Sequence, residues 1–166
     1  MLLDRLFAPF DRLVAQSSAA IPLRLIVGFG FMQHGYAKLA RGADNFTGIL
    51  AALHVPMPQV AAWATILTEL FGGAAFLIGF FMALAAIPML IVLLVAILTV
   101  HLPNGFSSIT LVSVTATGAH FGQPGYECDL LYVACIVAVI LMGPGILSID
   151  RAMVRHLRKS NGDRGG

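Results

Sequence analysis

Four apolar runs, parted by polar or proline-rich stretches, set the pattern of this chain. The clearest is residues 61–82, AAWATILTELFGGAAFLIGFFM, which holds one acid, Glu69, near its middle. About 20 apolar residues suffice for a helix to cross a bilayer. The pattern predicts spans at residues 21–39, 59–82, 84–102 and 128–142, the last being short. Ahead of them, residues 1–15 place Leu2, Leu3, Leu6, Phe7, Phe10, Leu13 and Val14 at helical spacing, with Asp4, Arg5, Asp11 and Arg12 on the other face. That pattern predicts an amphipathic helix lying at a membrane surface, kinked at Pro9; packing on a partner subunit is the other reading.

Two longer connections interrupt the runs. In residues 40–58, Asp44 or Asn45 is placed to cap a short helix through Leu53, ended by Pro56 and Pro58. His54 reads as an ordinary loop residue. In residues 103–126, the segment ITLVSVTAT is rich in Val and Thr and alternates loosely, so it reads as a short strand or a re-entrant piece. Loops this long are usually functional or structured.

Composition strengthens the membrane reading. Hydrophobic residues make up 58% of the 166 positions and charged ones 11%, against about 25% charged in a soluble domain. The mean hydropathy is +0.89. The fold class is therefore all-α: an integral membrane four-helix transmembrane bundle with an N-terminal amphipathic interfacial helix. Residues 1–19 form the interfacial segment, 20–150 the four-span domain, and 151–166 a basic cytoplasmic tail. Eight of the ten Lys and Arg residues (Arg5, Arg12, Arg24, Arg151, Arg155, Arg158, Lys159 and Arg164) lie in the tails or at the start of the first span. This asymmetry places both termini in the cytoplasm and gives no nucleic-acid signature. Arg24 is expected to snorkel to headgroups. Asp11 and Arg12 break the N-terminal apolar run, so no cleavable signal peptide is expected. Cys128 and Cys135 are too far apart on one helix to bridge.

The polar exceptions inside the spans carry the candidate chemistry. A carboxylate in lipid costs at least about 2.5–3.5 kcal/mol, so Glu69 needs a partner or a task. Gly72 and Gly73 beside it allow another helix to pack close. His34 and Lys38 are four apart and share a helix face. With the termini inside, His34, Lys38, Glu69, His101 and Glu127 all fall in the outer half of the bundle. Such a set suits hydrogen bonding and proton transfer to a quinone. The bland reading is that Lys38 and Glu69 are a buried ion pair that only fixes helix register. His34, His101, Glu69 and Glu127 could also ligate a metal, but no HxxxH, HExxH or CxxC spacing supports it and no metal is assigned. No nucleophile elbow, phosphate loop, haem, flavin or nucleotide motif is present.

Five short motifs occur in order: His34-Gly35-x-x-Lys38-Leu39; Glu69-x-x-Gly72-Gly73; His101 followed by Asn104-Gly105-Phe106; Gly125-Tyr126-Glu127; and Gly143-Pro144-Gly145 with Ser148 and Asp150. Over residues 20–150 the chain resembles the DoxX family of small four-helix membrane proteins, which includes the DoxD-type subunits. The amphipathic N-terminus and the Ser/Thr-rich insert at 107–121 depart from that pattern. The resemblance implies an inner-membrane, multi-pass protein tied to quinol oxidase, thiosulfate:quinone oxidoreductase or thiol and oxidative-stress systems. The leading expectation is a quinone-interacting membrane subunit of an oxidoreductase. Glu69 and His34 would handle protons or hydrogen-bond the quinone, Lys38 would set their charge state, and His101 and Glu127 would line the entrance. Such a subunit touches membrane lipid, takes electrons from a partner redox subunit, and leaves self-association open. A non-catalytic scaffold or assembly factor for a redox complex, and a small-solute or metal transporter, are the alternatives.

Overall fold

Residues 19–153 are described by a computed structural model. The segment expected to form the amphipathic N-terminal helix, and residues 154–166 of the basic tail, lie outside the described residues.

Helix α1 spans Ala20–Ala40. After Gly42, whose φ of 97° suits glycine, comes α2, Ala43–Ala52. Asp44 and Asn45 do not cap it: Gly42 holds the cap position, and Asn45 Nδ2 donates to Arg41 O instead, at 2.6 Å. Helix α3 spans Pro58–Ile78. Pro58 opens this helix rather than ending the previous one, because the first helical position needs no N–H. Gly79, at φ 69°, ends α3 four residues before the apolar run itself ends. Helix α4, Met82–Asn104, follows almost at once. A two-stranded antiparallel hairpin, β1 Leu111–Thr115 and β2 Gly118–Phe121, fills the long connection to α5, Glu127–Met142. The Val- and Thr-rich segment thus supplies a strand, and the chain is not purely helical.

The four long helices pack in a ring. Helix α1 lies against α3 and α5, and α4 lies against α3 and α5. Val27 and Phe31 of α1, Phe76 of α3, Met89 of α4, and Ile136 and Val139 of α5 form the buried core. Where α1 crosses α3, glycines let the backbones meet. A Cβ on Gly73 would lie 2.7 Å from Gly28 O, and one on Gly28 would lie 2.6 Å from Gly73 O. Gly72 does the same toward α4, where Met89 Cγ would be 2.9 Å away. Small residues at helix crossings are how helices associate where no water drives them together.

Among the described residues two helices, α3 and α4, are long and apolar enough to cross a membrane, with mean hydropathies of 1.6 and 2.9. Helix α4 is apolar on both sides. Met82, Ala86, Met89 and Leu93 face the core, while Leu84, Ile87, Ile91, Leu94 and Leu98 form an outward stripe with each residue more than half exposed. Helix α1 is as long but carries Arg24, Gln33, His34 and Lys38. Helix α5 has 16 residues, about 24 Å at 1.5 Å per residue.

One end of the bundle is tied by Arg24. Its side chain does not snorkel; the residue is 2% exposed. Nε donates to Phe76 O at 3.0 Å and Nη2 to Leu77 O at 2.9 Å, covering carbonyls at the end of α3. Nη1 donates to Pro144 O and Leu147 O, both at 2.8 Å. The guanidinium therefore staples α1 to α3 and to the turn after α5, where a rigid fork of donors has enough acceptors to stay buried. Asp150 completes the knot, accepting from the N–H groups of Phe81 at 2.8 Å and Met82 at 3.2 Å at the start of α4. The Gly143-Pro144-Gly145, Ser148 and Asp150 motif is thus a helix-end clamp.

Candidate functional site

At the half of the bundle away from Arg24, a cavity of about 400 Å³ opens between α1, α3, α4 and α5. Its polar lining includes His34, Lys38, Glu69, His101 and Asp129, and Phe31, Val92, Leu93 and Ala96 contribute apolar wall. Four of the five expected site residues therefore meet in one cavity.

Glu69 lies within a π turn, Thr68–Gly72, in the middle of α3. Such a turn widens the helix locally and is frequent at functional sites. Lys38 Nζ reaches Glu69 Oε1 at 2.6 Å and Oε2 at 2.7 Å. The Glu69 side chain is 6% exposed and that of Lys38 25%, so the pair reaches from the interior toward the end of the bundle. Gly35 makes room: a Cβ there would meet Glu69 Cβ at 3.0 Å. Lys38 Nζ also lies 5.2 Å from the centre of the Phe46 ring on α2. Beneath α2 a second cavity, of about 580 Å³, is lined by Arg41, Asn45 and Phe46 and shares His34 and Lys38 with the first.

His101 closes a second π turn, Ile97–His101, in α4. Its Nδ1 lies 3.1 Å from Pro124 O, and Asn104 Nδ2 donates to the same carbonyl at 3.2 Å. A carbonyl only accepts, so Nδ1 carries the proton. Nε2 then faces Asp129 Oδ2 across 3.9 Å, too far for a hydrogen bond. Tyr132 lines the same cavity, and its ring meets Phe31 edge-on at 5.6 Å and His34 at 6.5 Å. Gly30 leaves space for the Tyr132 hydroxyl, which a Cβ there would strike.

Glu127 is placed differently from its expected position at the entrance. It is not among the residues lining the cavity, and its Oε2 accepts from Ser108 N–H at 3.0 Å. Asp129, two residues on, supplies the lining carboxylate. Backbone bonds knit the same loop: Gly125 N–H to Ser107 O at 2.9 Å, Tyr126 N–H to Gly105 O at 3.1 Å, and Glu127 N–H to Phe106 O at 2.9 Å. The Asn104-Gly105-Phe106 and Gly125-Tyr126-Glu127 motifs thus interlock, and in doing so they hold Pro124 O against His101.

The spacing of Cys128, Asp129 and Tyr132, at i, i+1 and i+4, is the sequence signal for this α5 lining. Cys128 and Cys135 are both free. Among the described residues, no group of three or more His, Cys, Asp or Glu is placed to hold a metal ion.

No curated protein and no solved structure matches the chain. The family model of DoxX matches residues 19–102, from the start of α1 to the last turn of α4, and so includes Arg24, His34, Lys38, Glu69 and His101. That match covers just over half of the sequence and ends before the Gly125 and Gly143 motifs. The chain belongs to the DoxX family, a family of membrane proteins.

Proposed function

We propose that this chain is a membrane subunit of an oxidoreductase system and that it engages quinone in the cavity between its four long helices. All four helices would cross the inner membrane, with the Arg24 end cytoplasmic and the cavity in the outer half. The observation that carries the reading is that two pairs of charged or titratable side chains, Lys38–Glu69 and His101–Asp129, line one otherwise largely apolar cavity. Its volume falls within the range typical of small-molecule sites. An outward apolar stripe on α4 suits a bundle surrounded by lipid, where a lipophilic quinone resides.

The residues have the chemistry such a ligand needs. Reducing a quinone takes two electrons and two protons and yields a quinol. The electrons would come from a redox cofactor of a partner subunit. The side chains here would hold the ring and handle protons. Lys38 donates to a carbonyl oxygen, Glu69 accepts from a hydroxyl, and His34 lies on the wall shared by both cavities. The frequent link of DoxX proteins with oxidoreductase and quinone systems supports this reading.

A second reading rests on the closure of the Lys38–Glu69 pair. Both carboxylate oxygens already meet Nζ, as they would in a scaffold whose ion pair only fixes helix register. The two readings separate in one experiment. Equilibrium binding of a short-chain 1,4-quinone to the purified protein is measured for wild type and Glu69→Gln. A quinone site shows saturable binding that weakens in the variant while both proteins stay folded. A scaffold shows no saturable binding in either protein.

A further inference from the structure

The cavity has two polar poles, and the packing of the helices sets them across from each other. Lys38 and Glu69 sit on the α1–α3 edge, while His101 and Asp129 sit on the α4–α5 edge. In the ring of helices α1 adjoins α3 and α5, and α4 adjoins the π turn of α3 and α5, so these two edges are opposite sides. Phe31 and Tyr132 lie along the wall that joins them.

The first pole offers a donor and an acceptor together, and the second accepts or donates according to whether Nε2 carries a proton. At the first, the Lys38 ammonium donates and the Glu69 carboxylate accepts. At the second, the bond from Nδ1 to Pro124 O leaves Nε2 of the neutral ring as an acceptor. When protonated, Nε2 becomes a donor, and the Asp129 carboxylate stands 3.9 Å away to balance its charge. The gap between them leaves Nε2 free for a ligand atom. The first pair is closed and the second is open at its centre.

We infer that the cavity binds its ligand at both ends: the site takes a 1,4-quinone or 1,4-hydroquinone, with one oxygen at Lys38–Glu69 and the other at His101–Asp129. This rests on the quinone reading above and adds to it the second pole and the para arrangement. A donor–acceptor pair at one pole, and at the other a ring nitrogen that can either accept or donate, match a ligand whose two oxygens both alternate between carbonyl and hydroxyl. A ligand with a single polar end, or with two adjacent oxygens, satisfies one pole and leaves the other empty.

The test varies the ligand on the intact wild-type chain before it varies the protein. Equilibrium binding is measured for a short-chain 1,4-hydroquinone, its monomethyl ether and the corresponding 1,2-diol. The hydroquinone should bind about ten-fold more tightly than either analogue, as loss of one hydrogen bond implies. His101→Gln and Asp129→Asn should each weaken the hydroquinone by about ten-fold and leave the monomethyl ether within about three-fold. Equal affinity of hydroquinone and ether in the wild type overturns the two-ended site. So does a hydroquinone affinity that falls in Glu69→Gln but is unmoved in folded His101→Gln and Asp129→Asn; a quinone site at Glu69 then survives without the second pole. If none of the three ligands binds the wild type, both readings fall together.

Discussion

Replacing Lys38 by Met keeps most of the aliphatic stem and removes the ammonium. What remains is a Glu69 carboxylate that is 6% exposed and has lost both of its contacts, at 2.6 and 2.7 Å. Removing one partner of a buried pair costs about 3–5 kcal/mol. Lys38→Met should therefore lower stability by about 3–5 kcal/mol. The double variant Lys38→Met/Glu69→Gln buries no charge and should recover most of the loss. The assay is unfolding in mixed detergent micelles, followed by the fluorescence of Trp63, the single tryptophan. A Lys38→Met protein within about 1 kcal/mol of wild type, or a double variant no more stable than Lys38→Met, would refute the argument that Lys38 and Glu69 form a buried pair that holds the helices together.

Other outcomes follow from the rest of the bundle. Arg24→Met should cost about 3 kcal/mol or more in thermal or detergent unfolding, because four carbonyls lose a charged donor. Arg24→Lys should rescue little of this, since one ammonium cannot span the same acceptors. Gly73→Val should give little folded protein on size exclusion, since even a Cβ would lie 2.7 Å from Gly28 O. Gly48→Ala, with nothing within 4 Å of the added carbon, should fold normally and gain up to about 1 kcal/mol. Asp150→Ala removes the acceptor for the Phe81 and Met82 N–H groups at the start of α4 and should cost about 1–2 kcal/mol in the same unfolding assay.

Much of the site was legible because it rests on local spacing. The i, i+4 relation put His34 and Lys38 on one face, and the cost of an acid in an apolar run called for a partner for Glu69. Gly72 and Gly73 marked a close crossing, and the crossing is there, with Gly73 packed against α1 and Gly72 against α4. What stayed hidden depends on contacts distant in sequence or on backbone geometry. Nothing near Arg24 reveals acceptors at Phe76 and Leu77, still less at Pro144 and Leu147, so a basic residue at a helix start reads as a headgroup anchor. The π turns that carry Glu69 and His101 depend on backbone geometry and have no composition signal. On α5 the lining carboxylate is Asp129, not the expected Glu127. Two residues on a helix differ by about 200° in direction, so only one of them could line the cavity. The helical spacing from Cys128 to Tyr132 picks out Asp129. The hairpin was half legible: a Val- and Thr-rich strand shows itself, whereas its partner, Gly118–Phe121, is too short and mixed to do so.

The central claim is that quinone occupies the cavity beside Glu69. The most direct measurement is the quinone carried by the protein itself, purified in mild detergent, extracted with organic solvent and quantified per chain for wild type and Glu69→Gln. The account predicts near-stoichiometric quinone in the wild type and a clear fall in an equally well folded variant. Little quinone in either protein, with both folded, would contradict it and favour the scaffold.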